Sequence, residues 1–290
     1  MPEAVQKATA GSTIYLPGGG FTLTDTLSIN KKLTIIGVGH NLSAGNADGF
    51  TSIDGNISFI GNSSESAIMG CYVTQDIGIG RDGSAVEDVL IKYCNMYRIF
   101  IYNKTCTGTV VNQNFCRSSI WLGETNAKVT NNIANGVHSG DCAEISYNVL
   151  WASTYPFSNG NFSTICKNSA ISYNILLYTT SSNVPSTYSY GNQYNHNMGR
   201  YSISDDPDFI NVTDAWTDVF VNYLSGSNPL SDYHFKEAYQ QYEGLVGIYG
   251  GSGFSDSGIP PVPYISYKYV PDHTDAEGKL NIKIRVKASE

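Results

Sequence analysis

The chain has 290 residues, of which 14% are charged, and a formal net charge of −8. That length suits one large all-β domain or two ordinary ones, and the charged fraction lies well below the roughly 25% usual for soluble domains. The acidic balance disfavours unspecific binding to nucleic acid or anionic membrane, and no apolar run approaches the ~20 residues of a membrane span.

The opening residues "MPEAVQKATA" read as a short amphipathic helix. They lack a charged region followed by an apolar one, so no signal peptide is expected in them. Three short strands follow at 13–16, 21–29 and 33–38, bounded by Gly or Pro and without a helical period. The stretch "QDIGIGRDGSAVED" then gathers Asp76, Asp82, Glu87 and Asp88. It lacks the spacing of an EF-hand and reads as a solvated loop, with Ca²⁺ binding as the alternative.

From residue 91 a repeat takes over. Five segments share the pattern apolar-x-x-(Asn or Cys): "IKYC", "VNQN", "VTNN", "ISYN" and "ISYN", ending at Cys94, Asn114, Asn132, Asn148 and Asn174. A period near 20 with strands and no helical stretch points to a parallel β-solenoid. Asn at a repeated bend tolerates a left-handed backbone, and its amide can bond the Asn one repeat away. The apolar first position should stack inside. The position after it, shared by Lys92, Asn112, Thr130, Ser146 and Ser172, should face outward. The cysteines offer a rival register through Cys71, Cys94, Cys116, Cys142 and Cys166, weaker because their flanks do not match. With no C-x-x-C pair, the six cysteines read as mostly buried free thiols.

The longest step between repeats places a loop around 151–165. Beyond it come "DDPDFINV", where Asp205 and Asp206 precede Pro as turn formers, then "SDYHF" and "GLVGIYGG". "GIPPVP" reads as a linker. After it, Leu280, Ile282, Ile284 and Val286 alternate with polar residues in a half-buried hairpin, expected to pack on the last coil or on a neighbouring molecule. The division expected is 1–258 for the solenoid and 259–290 for the hairpin extension.

The N-terminal "AVQKATAGSTIYLPGGGFTLTDTLSINKKLTIIGVG" resembles the entry of the pectin-lyase-like right-handed β-helix superfamily, and "DDPDFINV", "SDYHF" and "GLVGIYGG" resemble the last coils of bacterial, Bacteroidetes-type surface β-helix proteins. The resemblance implies an all-β, single-stranded right-handed parallel β-helix with an N-terminal helical cap and a C-terminal β-hairpin. It also implies an extracellular or cell-surface location and a polysaccharide partner. It leaves the activity open, because one fold hosts lyases, hydrolases and adhesins.

Three functions follow for such a chain. A glycan-binding or scaffold protein would use aromatic rings, with Trp121, Trp151, Tyr155 and Tyr194 as candidates. A lyase acting on an acidic glycan needs a base and a cation beside the uronate; Lys92 is the candidate base and Arg117 the candidate cation. A glycoside hydrolase needs two carboxylates ~5 to 9.5 Å apart; Asp141, with Glu144 and His138 nearby in sequence, is the candidate. The scarcity of central bases and carboxylates favours the first.

Overall fold

A computed structural model of the chain describes residues 1–40, 49–152, 157, 166–177, 191–203 and 205–287. The protein is mostly β, with few helices and long parallel sheets, as in an all-β parallel solenoid. Among the described residues one sheet has nine strands and the other fourteen. The chain alternates between them, so each strand pairs in parallel with strands of the preceding and following repeats.

The nine-stranded sheet carries the interior column expected from the repeat. Ile35, Ile68, Ile91, Val111, Val129, Ile145 and Ile171 lie in register on successive strands. All seven are fully buried. Tyr194 extends the column by one repeat, opposite Ile171. The sequence pattern stops short of it because a tyrosine stands where an aliphatic residue is expected.

Each repeat then turns into the second sheet through two residues with separate tasks. The left-handed residue is not the Asn but the one before it: Tyr93, Gln113, Asn131, Tyr147, Tyr173 and His196 have φ between 52 and 59°. Such conformations cost a non-glycine residue of order 1 kcal/mol and persist here because the buried residue that follows, Cys94 after Tyr93 and Asn in the other five, is fixed by hydrogen bonds. Asn114 Nδ2 donates to Asn132 Oδ1 at 3.0 Å, Asn132 to Asn148 at 3.0 Å, Asn148 to Asn174 at 2.9 Å and Asn174 to Asn197 at 2.9 Å. Each of these oxygens also accepts a backbone N–H from the preceding repeat. All five side chains are fully buried, where an unpaired amide would be costly. Cys94 occupies the same column and donates from Sγ to Ile68 O at 3.7 Å, so the Asn register prevails over the cysteine register. Cys71, Cys94, Cys106, Cys116 and Cys166 are buried free thiols, while Cys142 is an exposed one.

The short strands of the second sheet from Phe115 to Met198 are buried on both faces. Met96, Cys116, Ala134, Leu150 and Leu176 point into the main core, whereas their neighbours Phe115, Ile133, Val149, Ile175 and Met198 point the other way. The second set is roofed by Val212, Trp216, Val219, Phe220, Tyr233 and Phe235 of a C-terminal block. That block comprises the helix Trp216–Val219, the antiparallel pair Phe220–Asn222 and Asp232–Phe235, and the 3-10 turn Glu237–Tyr242. Continuous apolar runs such as "NILL" are the sequence trace of this double burial.

Leaving the block, residues 246–262 return along the turn column toward the first repeats. Gly247 N–H donates to Tyr173 O, Asn131 Nδ2 donates to Ile248 O and Gly250 O, and Gly258 lies against His40. The strap ends near Tyr15 and Leu16, where the hairpin of Tyr264–Tyr269 and Lys283–Lys287 begins. The hairpin is therefore rooted at the first repeat, not the last. Every residue of Lys283–Lys287 is exposed, including Ile284 and Val286, so the expected half-buried face is absent from this strand, while Tyr264 and Ser266 of its partner are half-buried.

Candidate functional site

The outward column holding Lys92 is not an open groove. Lys92, Asn112, Thr130, Ser146 and Ser172 do align in register. Yet Asn112, Thr130 and Ser146 are buried, Asn112 Nδ2 donates to Thr130 Oγ1 at 2.8 Å, and Ser252 of the strap lies 3.5 Å from it. The protein's own strap lies where a polysaccharide was expected. Lys92 Nζ rests 4.6 Å from the centre of the Tyr93 ring.

The other residues expected to react are also held in place. Arg117 Nη2 donates to Val73 O and Thr74 O at 2.8 and 2.9 Å, and the guanidinium lies 4.9 Å over the Tyr72 ring. His138 is 2% exposed with Nε2 3.0 Å from Ser119 Oγ, and burial lowers its pKa to about 4, so the ring is neutral at neutral pH. Asp141 accepts from Asn168 Nδ2 at 2.9 Å, and Glu144 pairs with Lys128 at 2.9 Å. No base–cation–substrate geometry links them.

The expected sugar-stacking rings fare differently from one another. Trp121 sits between Phe100, stacked at 5.9 Å, and His138 at 4.8 Å. Its faces are thus engaged by in-register neighbours of adjacent repeats, although it lines a shallow recess with Tyr102, Lys104 and Glu124. Trp151 packs beneath Gly226 of the C-terminal block, with Nε1 buried and unpartnered. Tyr194 belongs to the interior column and is 7% exposed, which removes it from the surface. Tyr155 lies outside the described residues.

The acidic loop does not converge. Asp76 binds Arg98 at 2.6 Å, and Asp82 accepts the Ser84 N–H of its own turn at 3.1 Å. Among the described residues no group of three or more His, Cys, Asp or Glu side chains is placed to hold a metal.

The structure instead builds a site that sequence reasoning missed: a cleft of about 690 Å³ between the outer face of the second sheet and the C-terminal block. Its floor is Tyr72, Asn95, Phe115 and Ile133, opposite one another on four successive parallel strands and so ~4.8 Å apart. Phe50 meets Tyr72 edge-on at 5.6 Å. The roof comes from residues 229–234 and 248–256. There the His234 and Tyr249 rings stack at 3.8 Å, and Tyr249 Oη donates to Asp256 at 2.9 Å. Desolvation, then the Asp256 charge, pushes the Tyr249 pKa far up, which keeps the phenol protonated as a donor.

Two polar groups in this lining have no partner: Asn95 Oδ1, on a residue 5% exposed, and His40 Nε2. Burial lowers the His40 pKa to about 4 and keeps it neutral. Buried acceptors without partners are rare in folded proteins and are what a ligand's donors would satisfy. Apolar walls with a few converging polar groups are the usual make-up of a small-molecule site. The trace in the sequence was the apolar residue directly after each Asn, which marks an outer face that something must cover. Comparison with protein-family models, curated proteins and solved structures finds no match to this chain.

Proposed function

We propose that this chain is a right-handed parallel β-helix of the pectin-lyase-like kind. In this reading the helix Pro2–Lys7 caps its first coil, and the protein works outside the cell or at its surface by binding a polysaccharide without cleaving it. The observation that carries the reading is the cleft, which Phe50, Tyr72 and Phe254 line beside the unpartnered Asn95 Oδ1. Rings that cover the apolar face of a pyranose, with amides and carboxylates for its hydroxyls, suit a sugar chain. The recess at Trp121 supports the reading less, since that ring is already sandwiched. The lyase alternative draws no support from Lys92 and Arg117, which serve different contacts. A glycoside hydrolase stands as the second reading because two carboxylates, Asp232 and Asp256, line the one cleft.

Titration calorimetry of the full chain against oligosaccharides of known composition tests the binding, with Tyr249→Ala as the control. Loss of binding in the variant, with no rise in reducing ends or unsaturated products for the wild type, is the expected outcome. Product formation that vanishes in Asp256→Asn would favour the hydrolase instead.

A further inference from the structure

We infer that the C-terminal hairpin is a docking arm for a second copy of this chain, and that its seat on that copy is the acidic C-terminal block. The inference is independent of the glycan-binding reading.

The placement of exposed aliphatic side chains carries the first part of the argument. Among the described residues, every large aliphatic side chain left exposed lies in one of two places. Val221, Leu224 and Leu230 belong to the C-terminal block, and Leu245 follows its 3-10 turn. Ile265, Val270, Leu280, Ile282, Ile284 and Val286 belong to the hairpin. Single exposed apolar residues are ordinary, but grouped ones mark interaction surfaces. In the block, the Leu224 N–H donates to Ser231 Oγ at 3.2 Å, which brings Leu224 beside Leu230. In the hairpin, strand alternation puts Ile284 and Val286 on one face, with Ile265 opposite Val286. Each patch sits on an antiparallel sheet of only two strands, a unit that is marginal in water until something packs on it.

Charge names the partner. Lys283, Arg285 and Lys287 line the other face of the hairpin strand, and all three are exposed. Residues 214–243 hold Asp214, Asp218, Asp232, Glu237 and Glu243 against one cation, Lys236. Of these acids Asp214, Asp218 and Glu237 are exposed, and Lys236 Nζ is engaged with Thr217 O at 2.6 Å. Two hairpins set face to face would bring like charges together, and so would two blocks, an arrangement that selects against both pairings. A hairpin on a block matches apolar surface with apolar surface and cations with carboxylates.

The position of the two patches makes the contact one between copies. The hairpin leaves the first repeat beside Tyr15 and Leu16, whereas the block roofs Phe115, Ile133, Val149, Ile175 and Met198 of the later repeats. The contact therefore joins two different surfaces, and each can be removed separately.

Sedimentation velocity of the full chain over a range of concentrations tests this. The wild type should associate as concentration rises, and less so at raised salt. Ile284→Asp on the hairpin and Leu224→Lys on the block should each weaken self-association about tenfold or more. An equimolar mixture of the two variants should regain association, stopping at two chains, because one keeps its block and the other its hairpin. Circular dichroism checks the fold, and Arg285→Glu with Asp218→Lys gives the same reading should either first variant misfold. A wild type that stays monomeric up to about 1 mM overturns the inference. So does a Leu224→Lys variant that associates like the wild type, which would mean hairpin against hairpin, or a mixture that stays monomeric.

Discussion

Asn197 Nδ2 donates to Asp206 Oδ2 at 2.8 Å, and the same oxygen accepts the Asn197 backbone N–H at 2.9 Å. Asp206 thus ends the run of amides from Asn114 to Asn197. An amide both donates and accepts, so it can pass the chain on; an ionised carboxylate only accepts, so it can stop it. Replacing Asp206 with Ala leaves two buried N–H groups unpaired and is expected to cost about 2–4 kcal/mol. Its neighbour Asp205 is exposed, and Asp205→Ala should stay within about 0.5 kcal/mol. Urea midpoints of the two variants check this; equal values would show that the ladder needs no terminator.

Within the ladder, Asn148→Ala should cost more than the same change at an end. It strips the acceptor from Asn132 Nδ2 and from the Asn132 backbone N–H, and the donor from Asn174 Oδ1. A loss of about 3 kcal/mol or more is expected by chemical denaturation. Asn148→Cys should be milder, since Cys94 already holds this position in another repeat.

His138 sets a pH dependence. Its pKa is lowered from 6.5 to about 4 by burial, so between those values the unfolded chain binds the proton and the folded one does not. Stability must therefore fall as pH drops from 6.5 toward 4, by up to about 3 kcal/mol for this group, and level off below. His40, shifted the same way, adds to the slope. His138→Gln should flatten it in part. A wild-type stability that is constant over this window would contradict the buried neutral imidazole.

The strand register was legible because the interior column and the Asn ladder impose residue types at fixed intervals: Ile91, Val111, Val129 and Ile145 are visible by inspection. The left-handed site one residue before each Asn was not, since Tyr, Gln, Asn and His all occupy it and the strain is borne by neighbours. The cleft was the least legible. Its floor ends at Ile133 and its roof begins only at Pro229, and Phe115 and Tyr249 share no local pattern. Nor could alternation reveal that the face of Lys92 is covered, because the cover arrives from residues 246–262.

The strap depends on small residues. A Cβ on Gly250 would lie 2.5 Å from Tyr147 Cδ1, and one on Gly251 2.9 Å from Cδ2. Gly250→Ala should lift the strap and expose Asn131 and Asn112, at a cost of about 1–3 kcal/mol. Limited proteolysis should then cut within 246–262 while the sheets stay intact; resistance equal to the wild type would show the strap tolerates the added methyl.

Thiol chemistry should separate one cysteine from five. Cys142 is exposed, whereas burial pushes the Cys94, Cys116 and Cys166 thiols up to about 12. A thiolate reagent should label Cys142 alone in the native protein and all six after denaturation without reductant. A lower denatured count would reveal a disulfide.

Hydrogen–deuterium exchange with and without a saturating oligosaccharide that the chain binds tests the cleft most directly. The expected result is protection of residues 229–234 and 248–256 together with the strands at Tyr72, Asn95 and Phe115, and no change around Lys92 or Trp121. Protection confined to the Trp121 recess, or none anywhere while the ligand binds, would contradict the placement of the site.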